Sequence, residues 1–291
     1  MGKASRQKGS RTPRVAAAPF VARPFAGLPN ETDWVAIREI LPAATATVAL
    51  DPAAIPPNAP TEAVVATVLP MAWPALHRGD GTVLVGAQSG ASSGDPSRDL
   101  AAALLAALSA TPGTPVTQTP AVNADTPRLQ DLLAQDSRFE VTVHEGFDFW
   151  VAAGDLDDDA QASLQRANET VVPTSAMTAL PSAYFVRIGD RTHIRLILGE
   201  DEDAATDALA RLHAAGSDAL GGPTRLLGAF RAGGLLVPVW DLDPALEAGA
   251  YEEELAAFGD RYAAALAQKT PLTADERRAR SGLLSRQVTL R

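Results

Sequence analysis

Apolar residues recur along the chain at two spacings, one typical of β-strands and the other typical of α-helices. Alternating or continuous apolar runs predict strands at 62–69, 82–88, 184–188, 192–198, 224–230 and 235–240. Apolar residues that return every three or four positions predict helices from Asn30, over 96–110, from Glu200 to Gly216, over about 250–268 and from Thr273. Strands and helices mixed in this way indicate an α+β fold.

A β-hairpin is predicted at 139–151. Apolar and polar residues alternate on both sides of the loop 144–146, and Gly146 can adopt the left-handed conformation that such a three-residue loop requires. This arrangement places Phe139 and Phe149 on one face of a two-stranded ribbon.

The predicted strand 235–240 is apolar on both faces, so it should be covered on both sides. Pro238 has no amide hydrogen to donate and therefore predicts an edge position. An apolar edge strand is a place where a partner's strand can add to a sheet.

Two parts of the chain share an order of elements. Each contains a Gly-Asp turn before a strand, then a helix and a hairpin, and each hairpin is followed by Asp-Leu-Asp, at 155–157 and at 241–243. The order predicts two tandem antiparallel sheet-plus-helix units related by internal duplication, with the groove between them as the natural binding site. The alternative is a single α+β domain whose hairpins resemble each other only through common turn chemistry.

The predicted organisation of the chain has four parts. They are a disordered basic tail at 1–27, a first unit at 28–155, a second unit at 156–268, and an Arg-rich helix and tail at 269–291.

Charge is distributed unevenly along the 291 residues. The formal net charge is −10, yet residues 1–23 hold six basic side chains and no acidic one, which leaves 19 basic and 35 acidic residues in the remainder. A basic arm attracts nucleic acid, whereas an acidic body repels it.

Cysteine is absent, no apolar run is long enough to cross a membrane, and the basic N-terminus lacks the apolar core of a secretory signal. We therefore expect a cytoplasmic protein without a membrane partner.

Candidate catalytic chemistry is limited to one motif. Gly90-Ala91-Ser92-Ser93-Gly94 follows a predicted strand and matches the nucleophile elbow of serine hydrolases, with Ser92 as the nucleophile. The helix cap, however, is at Asp95-Pro96 rather than at the serine, and the surrounding residues have the composition of a flexible linker. The four histidines show no metal-ligand spacing, so neither a metal nor a cofactor is predicted.

A candidate anion-binding face is predicted on the strands at 184–198. Arg187, His193 and Arg195 are expected to share one outward side of this sheet, where they would either bind an anion or be solvated.

Several stretches resemble an actinobacterial family of unknown function: ATVLPMAWPAL (66–76), HEGFDFWV (144–151), GLLVPVWDLDP (234–244) and ERRARSGLLSRQVTLR (276–291). The resemblance implies an intracellular actinobacterial protein and supplies no activity. The order of elements in each half also resembles the type III secretion chaperone-like fold, which implies a small chaperone or adaptor.

The leading hypothesis is accordingly a protein-binding adaptor or chaperone-like module without enzymatic activity. The alternative is a nucleic-acid or ribosome-associated factor that uses basic residues of the tail and of the C-terminal segment: Lys3, Arg6, Lys8, Arg11, Arg14, Arg277, Arg278, Arg280, Arg286 and Arg291. A hydrolase acting through Ser92 is the weaker alternative.

Overall fold

The computed structural model describes residues 16–90, 93–152 and 156–285. The helices in these ranges are α1 (Glu31–Glu39), α2 (Pro96–Leu108), α3 (Asp158–Asn168), α4 (Glu202–Ala214), α5 (Glu252–Leu266) and α6 (Ala274–Ser285). The strands are β1 (Ala44–Ala49), β2 (Glu62–Ala66), β3 (Ala75–His77), β4 (Val83–Gly86), β5 (Thr114–Val116), β6 (Thr142–Val143), β7 (Thr174–Ala176), β8 (Ala183–Ile188), β9 (Arg191–Leu196), β10 (Arg225–Ala232) and β11 (Leu235–Asp241). The α+β prediction is confirmed.

The strands form two sheets with different topologies. The first has the order β5-β3-β4-β2-β1-β6 and contains a parallel pair, β2 with β4. The second has the order β10-β11-β9-β8-β7, and its neighbouring strands are all antiparallel. Because the two sheets differ in strand number and in the parallel pair, internal duplication stays a prediction.

One hydrophobic core extends across both predicted units. Trp34 and Ile37 of α1 lie in the same buried cluster as Tyr184, Val186 and Val237 of the second sheet. The opposite face of the second sheet packs against α4 and α5 in a separate core. The second sheet is therefore covered on both faces, which explains why β11 is apolar on both sides.

The strand 235–240 is not an edge strand, so this part of the prediction was wrong. It forms most of β11, which lies between β10 and β9, and Pro238 pairs with Ala229. Proline is accommodated here because the ladder of β11 with β9 begins only at Val239, so the missing amide hydrogen of Pro238 removes no bond from that ladder.

The predicted hairpin at 139–151 was also wrong. Only Thr142–Val143 forms a strand, which pairs with β1, and Asp148–Trp150 is a turn of 3₁₀-helix. Phe139 stacks on Trp34, whereas Phe147 stacks on Trp150, so the two rings do not lie together on one face of a ribbon. Burial in two separate clusters outweighs local alternation here.

The ordered body begins before Leu28, where the predicted tail was to end. Phe25 is fully buried and its ring lies 5.8 Å from that of Trp34. The Arg23 guanidinium donates to Glu31 at 2.6 and 2.8 Å and to the carbonyl of Gly199 at 2.8 Å, so this segment links α1 to the chain that follows β9. The rest of the predicted tail, residues 1–15, lies outside the described part of the chain.

Candidate functional site

A cleft of about 430 Å³ lies between the C-terminal end of α1 and the face of the second sheet that turns towards the first unit. We call it the inter-unit cleft. Its walls come from both predicted units and are mainly apolar: Glu39, Ile40, Pro42, Val172, Thr174, Val186, Ile188, Arg195, Phe230, Arg231 and Ala232.

The local structure explains how these side chains meet. The helix α1 ends at Glu39, and Pro42 leads the chain towards β1. In the second sheet, Tyr184 pairs with Arg195 and Val186 pairs with His193, so these residues share one face. The side chains of Val186 and Arg195 thus project into the cleft that the end of α1 covers.

Arg195 is the charged group that distinguishes the cleft. Its Nε atom is buried without a hydrogen-bond partner, and among the described residues its guanidinium has neither an ion pair nor a hydrogen bond. Burial lowers the pKa of Arg195 below the ordinary arginine value. Arg195 as a whole is half-buried, so its cation is partly removed from water, and an anion in the cleft would offset the cost of that desolvation.

The other charged residues of the cleft are already paired. Arg231 contacts Glu202 at 2.5 Å, and Glu39 lies 3.4 Å from Arg38. Arg195 is therefore the guanidinium that is left for a ligand among the described residues that line the cleft.

The predicted anion-binding face is brought together only in part. His193 shares a face with Arg195, but it is buried, it lies 3.7 Å from Asp241, and burial lowers the pKa of its imidazole. Arg187 projects from the opposite face, where it donates to the carbonyl of Pro244 and to Glu247. The three residues do not form one cluster.

Three of the histidines have separate hydrogen-bond partners. The rings of His77, His144 and His213 bond to the carbonyl of Ala110, to Thr45 Oγ1 and to Asp218. Within the described ranges, no group of three or more histidine or acidic side chains could hold a metal ion.

Only part of the serine motif lies within the described residues. Ser92 lies outside the described residues. Asp95 caps α2, is fully buried, and contacts Arg128 at 3.0 Å, while Asp99 accepts from the amide of Ser93. These two aspartates thus have structural partners.

The arginines at the start of α6 also have partners. Arg280 donates to Asp203 and Asp207 of α4, Arg278 contacts Asp275, and Arg277 donates to the carbonyl of Leu272. The remaining residues of the predicted nucleic-acid surface lie outside the described ranges: Lys3, Arg6, Lys8, Arg11, Arg14, Arg286 and Arg291.

Sequence reasoning missed the contributions of Pro42 and Phe230 to the cleft. They come from different units, and no local pattern indicates that they meet. Ile188 offered a signal of the cleft, because alternation in the strand at 184–188 places it on one face with Val186. In the structure Ile188 is 38% exposed.

The chain belongs to a family of unknown function, DUF5926, whose model matches residues 24–291. Neither a curated protein nor a solved structure matches the chain. No helix in the described part of the chain is long and apolar enough to cross a membrane.

Proposed function

We propose that this protein is a non-enzymatic adaptor that binds a segment of another protein in the inter-unit cleft. The observation that carries the proposal is the cleft itself, which is apolar, is lined by both units and leaves Ile188 exposed. We further propose that it acts in the cytoplasm of an actinobacterium, as its lack of cysteine and the resemblance of its motifs suggest.

The size of the cleft suits a short peptide segment. Its volume of about 430 Å³ falls within the range of roughly 300–1,000 Å³ that is usual for ligand sites. Covering Ile188 and the partly buried Phe230 would remove apolar surface from water, which favours association.

Paired capture experiments test this function. The full-length protein serves as bait in native lysate, beside the variants Ile188→Asp in the cleft and Leu246→Asp outside it. Both side chains are exposed to a similar degree, 38% and 42%, so the two variants change surface polarity equally. We expect one protein partner to be lost with Ile188→Asp and retained with Leu246→Asp.

Two results would contradict the proposal. One is a partner that both variants retain. The other is RNA as the co-purifying species, held by the unmodified protein and released as salt rises to about 300 mM, which is the behaviour of a complex dominated by phosphate contacts.

A further inference from the structure

We infer that the segment bound in the inter-unit cleft presents a single carboxylate to Arg195, next to an aliphatic side chain. This inference rests on the proposed function and specifies the chemistry of the partner. Its starting point is the guanidinium without a partner in a cleft whose other charged residues are paired.

Arg195 is held in place for recognition. It lies within β9, where its backbone pairs with Tyr184 of β8 on one side and with Val239 of β11 on the other. A strand paired on both sides fixes the direction in which the side chain leaves the backbone, so Arg195 is always presented on the face of the sheet that lines the cleft. The planar guanidinium then matches the two oxygens of a carboxylate.

The surroundings of Arg195 favour an aliphatic residue beside that carboxylate. Val186 and Phe230 line the same cleft, and the side chain of Ile188 is exposed at it. An aliphatic side chain would cover this surface while the carboxylate pairs with the guanidinium. Such a pair is stronger away from water, where the effective dielectric constant is lower.

The opposite wall disfavours a phosphate or a run of acidic residues. It is formed by the C-terminal end of α1, where the helix dipole is negative, and it includes the carboxylate of Glu39. A second negative charge in the ligand would meet this wall. One carboxylate is therefore better matched to the cleft than a phosphate dianion.

The test uses two small probes of equal shape, 3-methylbutanoate and its neutral amide 3-methylbutanamide. The signal to follow is the side-chain Nε–H resonance of Arg195 in a nitrogen-15 NMR spectrum of the full chain, assigned by its loss in Arg195→Lys. We expect the carboxylate to shift this resonance saturably and to bind at least about tenfold more tightly than the amide, because a charge-assisted hydrogen bond replaces a neutral one.

Variants assign the binding to one arginine. Backbone amide shifts of Val186 and Ile188 report occupancy of the cleft without the Arg195 side chain. Arg195→Gln should abolish the difference between carboxylate and amide, whereas Arg187→Gln, on the opposite face of the sheet, should leave it unchanged.

Three outcomes would overturn the inference: equal binding of carboxylate and amide, tighter binding of inorganic phosphate, or a dimer of this chain that requires Arg195. Its failure is distinguishable from failure of the proposed function. A partner lost with Ile188→Asp but retained with Arg195→Gln would leave the adaptor role standing. If the carboxylate binds to Arg195 but the protein partner is retained with Ile188→Asp, the adaptor role fails and only the anion site stands.

Discussion

Trp34 and Phe139 stack with their ring centroids 3.7 Å apart and an angle of 12° between the ring planes. Both side chains are fully buried, and Phe25 also stacks on the indole, with ring centroids 5.8 Å apart. The backbone at Phe139 is fixed as well, because its carbonyl accepts a hydrogen bond from the side-chain amide of Asn30. This stack joins the N-terminal segment, α1 and the chain before β6.

We expect Phe139→Ala to lower the free energy of unfolding by about 3–5 kcal/mol, the usual cost of removing a large aromatic side chain from a core. Chemical denaturation of the full chain measures it. Phe20→Ala is the matched control, since Phe20 is 80% exposed, and should change stability by no more than about 0.5 kcal/mol. Similar losses in the two variants would show that the stack does not stabilise the fold.

Phe139 also illustrates what the sequence could and could not predict. The recurrence of apolar residues predicted a helix from Asn30, and Trp34 and Ile37, three residues apart, are buried in α1, since helical spacing reflects local geometry. Alternation around Phe139 suggested a hairpin, whereas its ring packs on a helix much earlier in the chain. Alternation gives the side on which a residue lies and does not identify what covers that side.

The residues of the candidate site could also be predicted only in part, because the pairing register of its strands was not predictable. The prediction placed Arg187 and His193 on one face, but His193 pairs with Val186, one residue away from Arg187. A shift of one residue exchanges the two faces of a strand. Both faces of β8 are apolar, so the pattern could not determine the register, and Arg187 was therefore assigned to the same face as Arg195.

Asp33 gives a prediction for pH. Burial raises the pKa of this carboxyl, although hydrogen bonds from Ser182 and Tyr184 oppose the rise. A raised native pKa means that the stabilising contribution is present below the unfolded-state pKa and is lost as pH rises through the native value. Asp33→Asn removes the titration.

The stability of the unmodified protein relative to Asp33→Asn should therefore fall as pH rises above about 4, the ordinary pKa of an aspartate in an unfolded chain. Denaturation curves of both proteins, recorded from below this pH upwards, measure the difference. Parallel pH profiles would contradict the assignment of a raised pKa to Asp33.

Gly234 gives a prediction about the N-terminal segment. Its φ is 82°, and a Cβ atom there would overlap the carbonyl of Ala22, whereas Gly189 has a φ of 56° and no neighbour within 4 Å of that position. Alanine at either site should cost about 1–2 kcal/mol of backbone strain. Only Gly234→Ala should also displace the segment around Ala22.

Hydrogen exchange followed by mass spectrometry distinguishes the two effects. The amide of Val21, which donates to the carbonyl of Gly94, should lose protection in Gly234→Ala and keep it in Gly189→Ala. Unchanged protection in both variants would mean that the contact at Ala22 does not hold the segment.

Arg280 gives a prediction that separates docking of α6 from nucleic-acid binding. Its Nε and Nη2 atoms lie 2.6 Å from the carboxylates of Asp207 and Asp203 on α4. We expect Arg280→Gln to lower the free energy of unfolding by about 1 kcal/mol, near the upper end for ion pairs at a surface. The loss should shrink at high salt, because screening weakens the pair in the unmodified protein.

Arg278→Gln is the control on the same helix. Its side chain is 74% exposed and contacts only the neighbouring Asp275 among the described residues, so the expected change is within about 0.5 kcal/mol. Urea denaturation at low and high salt measures both variants. Equal effects of the two substitutions would argue that Arg280 does not fasten α6 to α4. A loss of stability with Arg280→Gln alone would show that this arginine stabilises the packing of α6 on α4. Its guanidinium would then not be free to bind RNA.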